Sequence, residues 1–230
     1  MWPHRPAGFN DGRAPVNVDE LISNYPILYH STAAGNARSI VDHGLWTTAQ
    51  IADTAQLDPN QTAAMVAAPR PRAVKLTHPV LGDVQIRDQS PLRPAMLARC
   101  LTDLTPAQWL AMLNDRAFFW LHPSRLHSLL SGRRNRNAEH EVVAVDTASL
   151  VDVHHDRIRL SPINSGAVLY PNAAARGSHT FTTVSDYPFA ERRRTRPVHG
   201  AVAELAVIGG VHDVTAHTIR IQRWAPGPVA

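Results

Sequence analysis

Pro26-Ile27-Leu28-Tyr29-His30, followed by Ser31-Thr32, is the stretch that decides the fold class. Its apolar and aromatic residues predict a short strand. Ser31 or Thr32 then caps a helix from about Ala33 to His43, because Ala33, Ala37, Ile40 and Val41 recur at helical spacing. Gly44 ends that helix as a C′ residue and Leu45 supplies the hydrophobic contact behind it.

Downstream the elements stay short. Thr48 to Ala67 predicts one or two helices, broken by Pro69-Arg70-Pro71-Arg72. Ala73–Leu76 and Val84–Ile86 predict strands around a Gly82-Asp83 turn. Leu92 to Leu101 is helical in period, and Thr105-Pro106 starts a further helix with Trp109, Met112 and Leu113 as its apolar stripe. Ala117 to Leu121 predicts an aromatic strand. Ser124 caps a helix over 125–130, and Gly132 to Asn137 is a basic turn. Glu141–Val145, Ala201–Gly210 and Thr218–Ile221 predict strands. Val151 to Leu160 alternates loosely, while Asn164–Gly177 and the arginine-rich Pro188–Pro197 predict irregular, exposed chain. Many short strands, with helices concentrated before residue 130, give the α+β class. A polar, Pro/Gly-punctuated start, with one short helical turn at Val18-Asp19-Glu20-Leu21-Ile22, predicts an N-terminal arm over residues 1–24 ahead of one domain over residues 25–230.

The chain has 230 residues, enough for one core without staples. A single cysteine, Cys100, excludes an internal disulfide and a Cys-rich zinc site. That fits a reducing cytoplasm, as does a start without an apolar signal segment. No apolar run approaches the length of a membrane span, so no membrane partner is expected. The formal net charge is +4, and the cations are almost all arginine. Arginine forks suit phosphates, so a polyanionic partner or a phosphate-bearing ligand is one reading. A coding sequence biased toward arginine and alanine is the other.

Three separated segments carry chemistry together: Leu28-Tyr29-His30-Ser31-Thr32 with Asn36, Ile40 and Gly44-Leu45; Arg116-Ala117-Phe118-Phe119-Trp120; and Val202-Ala203-Glu204-Leu205-Ala206-Val207. Each has a plain structural reading. A strand-end histidine commonly just satisfies a hydrogen bond, and an aromatic strand commonly belongs to a core. A glutamate inside an apolar strand is rarer, because burying an unpaired carboxylate is unfavourable. Glu204 therefore faces either solvent or a cleft.

The order of the three segments resembles the ADP-ribosyltransferase superfamily. His30-Ser31-Thr32 with Asn36, Ser39-Ile40 and Gly44-Leu45 resembles the opening motif of DarT-type DNA ADP-ribosyltransferases and of the poly(ADP-ribose) polymerase branch. Arg87-Asp88-Gln89-Ser90-Pro91 and Met96-Leu97 resemble a further DarT segment. Arg192 to Arg196 followed by Val202–Val207 resembles the strand that bears the catalytic glutamate. Phe118-Phe119-Trp120, Pro162-Ile163-Asn164-Ser165-Gly166 and Asp186-Tyr187-Pro188 resemble a bacterial family of DarT-like architecture. The likeness spans roughly residues 25 to 222. Two positions depart from the pattern. Val202 stands where arginine- and asparagine-modifying relatives carry Glu or Gln and DarT enzymes carry Gln. The tyrosine-rich nicotinamide wall is absent, with Phe118 and Phe119 as the nearest substitutes.

The resemblance implies a split β-sandwich of two small antiparallel sheets with peripheral helices. It implies NAD as consumed substrate and mono-ADP-ribosyl transfer to a nucleic-acid base, in the manner of a toxin with an antitoxin or ADP-ribosyl hydrolase partner. Glu204 would stabilise the developing oxocarbenium ion and His30 would donate to a ribose hydroxyl. Ser31, Thr32 and Asn36 would bond the ribose or adenine side. Phe118 or Phe119 would stack the nicotinamide. An arginine belongs on the pyrophosphate, with Arg72 preferred to Arg87. An NAD-dependent RNA 2′-phosphotransferase and an inactive nucleic-acid or ADP-ribose binding module are the alternatives. His154-His155 and His122/His127 suggest ligands, but the second pair is five apart and lacks the i, i+4 spacing of a metal face, and no metal is expected.

Overall fold

The computed structural model describes residues 18–170 and 172–224; residues 1–17 of the expected arm and the terminal 225–230 lie outside them. The strands are β1 (Ile27–Ala33), β2 (Val74–His78), β3 (Gly82–Ile86), β4 (Arg116–Phe119), β5 (His140–Asp146), β6 (Ile158–Ser161), β7 (Glu204–Ile208) and β8 (Thr218–Trp224). The helices are α1 (Val18–Asn24), α2 (Asn36–His43), α3 (Thr48–Thr54), α4 (Pro59–Ala67), α5 (Pro94–Cys100), α6 (Pro106–Asn114), α7 (Pro123–Leu130), α8 (Thr147–His154), α9 (Phe189–Thr195), α10 (Val198–Ala201) and α11 (Val214–His217).

The chain is α+β, and every named strand pair is antiparallel. One sheet has the order β1-β5-β8, a second β4-β7-β6, and β2-β3 is a separate hairpin. The two larger sheets meet where Tyr29 and Trp120 exchange backbone hydrogen bonds, each 2.9 Å long. β5 is buried on both faces, which is why Val142 to Val145 is unbroken apolar sequence. Val143 and Val145 pack with Leu205 and Val207 of β7, Ile158 and Leu160 of β6, and Leu150 of α8. Val142 and Ala144 face the other way, onto Leu126 and Leu130 of α7. A second core gathers Leu97, Trp109, Leu110, Leu113 and Phe181 beneath Ala206.

The expected helix cap at Ser31 or Thr32 does not form. β1 continues through both residues to Ala33, because they pair with Val142 and Glu141 of β5. The cap of α2 comes instead from across the sheet. The Glu141 carboxylate accepts the backbone N–H of Gly35 at 3.0 Å and of Ala37 at 2.8 Å, satisfying donors that no local side chain reaches. Residues 18–24, placed with the arm, form α1, whose Leu21 is buried in the main core. His122, not Ser124, caps α7, its ring accepting the Ser124 N–H. The region read as loose alternation begins with α8, capped by Asp146 through the Ser149 N–H at 2.7 Å. Pro188–Pro197 is not open loop but holds α9, anchored by buried Phe189.

Gly44 terminates α2 as expected, for two reasons. Its φ of 88° is a left-handed value. A Cβ there would also lie 2.3 Å from the His212 carbonyl oxygen. This close approach lets Leu45 and Val211 exchange two 2.8 Å backbone hydrogen bonds. No helix among the described residues is long and apolar enough to cross a membrane.

Candidate active site

A cleft of about 370 Å³ opens at the seam between the sheets, within the size range of small-molecule sites. β1, α2, the β2-β3 hairpin, β4, the loop at residues 164–167 and the first residue of β7 all contribute to its wall.

Glu204 is that first residue of β7, paired with Ser161 of β6. Leu205 and Val207 turn to the main core, so alternation puts Glu204 on the other face, with Ala206. It lines the cleft at 5 % exposure, which decides between the solvent and cleft readings. Ser165 holds it, with the backbone N–H at 3.0 Å and the hydroxyl at 2.7 Å, both on Oε2. No hydrogen bond reaches Oε1 among the described residues. Burial pushes the carboxyl up to about 7, against the lowering effect of the two Ser165 bonds and of Arg125 and Arg176.

His30 enters the same cleft from β1. Its Nδ1 lies 2.9 Å from the Phe118 carbonyl oxygen. A carbonyl only accepts, so the proton sits on Nδ1. Burial lowers the ring's pKa, with Arg87 adding to the effect, so the ring is neutral and Nε2 carries a lone pair. The ring therefore presents an acceptor to the cleft, not the donor expected of His30.

Ser31, Thr32, Asn36 and Phe118 all line the cleft, and Phe119 does not. Ser31 lines the cleft, and its hydroxyl accepts from Arg87 at 3.1 Å. Thr32 is buried and accepts from Asn36 at 3.0 Å. Asn36 spends its amide on structure, donating to the Gln85 carbonyl at 2.8 Å and accepting the Gln85 N–H at 3.2 Å. It mimics a strand partner for β3 rather than offering a free group. Phe118 is half-buried on the cleft wall, whereas Phe119 is in the main core with its ring edge toward His30. The period of two along β4 separates them.

Arg72 is exposed and outside the cleft. Arg70, two residues earlier, lies inside at 7 % exposure, bonded to Asn114 at 3.0 Å and to the carbonyls of Met65 and Arg87. Burial pulls its pKa down to about 10. Arg87 and Arg116 also line the cleft. Among the described residues, none of the three arginines has a carboxylate within 4.0 Å. Arg70 was read only as part of a helix breaker, and Ser165 only within a stretch that resembles a bacterial family. Nothing in the sequence pointed to Arg176.

The profile described as a family of unknown function, DUF7002, matches residues 26–218. The chain belongs to the DUF7002 family. No curated protein and no solved structure matches it.

Away from the cleft, this DUF7002 chain gathers His154, Asp213 and His217, with ligand-capable atoms within 4.8 Å of one another. Arg157 donates to His154 Nδ1 at 2.6 Å. That fixes the His154 proton on Nε2, which points at Asp213 Oδ1 over 2.8 Å. Through these bonds and that of His217 Nε2 to Asp213 Oδ2 at 3.3 Å, the trio ties α8 to the start of α11. His122 and His127 do not converge: one caps α7 and the other packs edge-on against Trp224.

Proposed function

We propose that this DUF7002 chain is an NAD-consuming mono-ADP-ribosyltransferase with a nucleic-acid base as acceptor. The observation that carries the proposal is the convergence of Glu204 and His30, from opposite ends of the chain, on one cleft at the seam of two antiparallel sheets. That arrangement is compatible with the split sandwich expected from the resemblance.

The chemistry follows from the groups present. The bond between nicotinamide and ribose C1′ breaks, and its electron pair leaves with neutral nicotinamide. Positive charge builds on the ribose, as in glycoside cleavage. Glu204 Oε1 faces that charge and takes a ribose hydroxyl as its donor. His30 Nε2 accepts a second hydroxyl. Phe118 offers a ring face to the nicotinamide. Arg87, lacking a carboxylate partner, takes the pyrophosphate in place of Arg72. An acceptor nitrogen or oxygen then bonds to C1′ and gives up its proton. A carboxyl that titrates near 7 is suited to receive it.

The acceptor assignment rests on the turn Gly132–Asn137, whose Arg133, Arg134 and Arg136 are exposed beside the cleft. Arg134 reaches the Ser90 hydroxyl on the cleft side. The second arginine cluster is partly structural: Arg192 of α9 is committed to the carbonyls of Ala201 and Pro162. Modifying nucleic acid harms the host cell, so the reading includes a cytoplasmic toxin with an antitoxin or ADP-ribosyl hydrolase partner. Labelled NAD tests the proposal. Transfer of label from the adenylate side into nucleic acid, with release of nicotinamide, is expected; no nicotinamide release at millimolar NAD sinks it. Three cleft arginines also suit an RNA 2′-phosphotransferase, which the same assay separates by its requirement for a 2′-phosphorylated RNA.

A further inference from the structure

The loop that grips Glu204 is itself held by one side chain from further along the chain. Arg176 is 2 % exposed. Its Nη1 donates to the carbonyl oxygens of Ser165 and Ala167, each at 3.2 Å, and its Nε to that of Ala174 at 3.2 Å. The guanidinium lies 5.9 Å from the centre of the Trp109 ring. Among the described residues no carboxylate comes within 4.0 Å of it. A buried cation without a contacting counter-ion is unfavourable. A stabilising carboxylate charge does reach it, from Glu204 at longer range.

We propose that Arg176 is a positioning residue for Glu204, acting through Ser165. The proposal rests on Glu204 being the reacting carboxylate of the transferase. Three links connect the residues. Arg176 pins residue 165 by its carbonyl. The N–H and hydroxyl of that same residue both end on Oε2. With Oε2 saturated, Oε1 is the oxygen left for substrate. The loop at residues 164–167 has no regular secondary structure to hold it, so without Arg176 the two donors are free to drift. Glu204 would then lose the bonds that favour its ionised form. Of the two charges that lower it, Arg125 of α7 stays in place and the direct pull of Arg176 is lost with its bonds; Arg87 and the neutral ring of His30 face the same cleft.

The test uses the full chain carrying carboxyl-labelled glutamate, with Glu204→Gln to assign the Glu204 signal. Carbon NMR follows its titration without NAD, and initial rates of NAD turnover are measured against pH. Arg176→Met is expected to raise the Glu204 midpoint by about one pH unit or more. The acid limb of the rate profile should move with it. The kcat at pH 7 should fall about tenfold or more, with KM for NAD within about twofold. Ser165→Ala should reproduce the shift, and Arg176→Lys should recover part of it, since an ammonium still donates to the same carbonyls. An unchanged midpoint in folded Arg176→Met overturns the proposal. If that variant does not fold, an unchanged midpoint in Ser165→Ala does so. Because the titration needs no NAD, the two readings fail separately. A shifted midpoint in a chain that never cleaves NAD removes the transferase and keeps the coupling. Turnover with no shift does the reverse.

Discussion

The Arg87 guanidinium donates to Asn135 Oδ1 at 2.8 Å, and so ties the cleft wall to the arginine turn outside it. Its other terminal nitrogen reaches Ser31. Both partners are neutral oxygens, and the Asp88 carboxylate acts on the guanidinium only from beyond ion-pair distance.

Removing that charge should therefore weaken dinucleotide binding. Arg87→Ala is expected to raise the Kd for NAD by about 10- to 100-fold, the worth of a hydrogen bond to a charged group. Arg72→Ala, on an exposed residue outside the cleft, should leave it unchanged. Calorimetry on both variants checks this, and equal effects would remove Arg87 from the pyrophosphate.

The turn itself should govern the acceptor. Arg133→Glu with Arg136→Glu is expected to cut labelling of nucleic acid and to flatten its salt dependence, because phosphate contacts release counterions. Nicotinamide release without acceptor should persist. Labelling that is as strong and as salt-sensitive as in the unaltered chain would move the acceptor elsewhere.

For His30 the expectation is a mixed effect. His30→Ala removes the Nε2 acceptor and also the bond between β1 and the Phe118 carbonyl. NAD should bind about tenfold more weakly, as for one hydrogen bond, and turnover should fall with it. Binding that is unaltered by calorimetry would mean that the ring only fastens the two strands.

Glu204→Gln should separate rate from stability. Loss of the charge is expected to lower transfer by about 10²- to 10³-fold with little change in NAD affinity. Stability should move the other way. Burial raises the carboxyl from 4.5 to about 7, so between those values the unfolded chain has released a proton that the folded chain keeps. Stability contributed by this group is present below pH 4.5 and lost as pH rises to about 7. At roughly 1.4 kcal/mol per unit the loss is on the order of 3 kcal/mol. The glutamine variant should match the parent at pH 4 and melt higher at pH 8. Identical melting profiles across that range would place Glu204 in solvent.

The elements that sequence made legible are those whose burial repeats along the chain. β1, β5 and β7 are runs of apolar residues, and Gly44 marks a turn that only a bare backbone can make. What escaped it depends on partners distant in the chain. Glu141 caps α2 from another strand, so Ser31 and Thr32 look like caps while serving as strand. Val151-Asp152-Val153-His154 alternates locally, yet Asp146 and the core contacts of Leu150 and Val151 wind it into α8. In Pro69-Arg70-Pro71-Arg72 nothing local says which arginine turns inward; contacts with Met65 and Asn114 decide it. The glutamate and histidine stood out because each is an odd residue in its own strand. Arg176 lies in chain without periodicity, where no position is odd.

The paired contacts Tyr29–Trp120 and Leu45–Val211 have a mechanical consequence. From His30 the backbone runs through α2 to Leu45, crosses to Val211, returns along β7 to Glu204, and passes over β4 to Trp120 and Tyr29. This is a closed loop of covalent and hydrogen-bonded links, a hoop with the histidine and the glutamate on its inner rim. A hoop cannot widen without breaking a rung, so the spacing between those two residues is insulated from strain elsewhere. Any breathing that widens the cleft falls to the parts outside the hoop, the β2-β3 hairpin and the arginine turn.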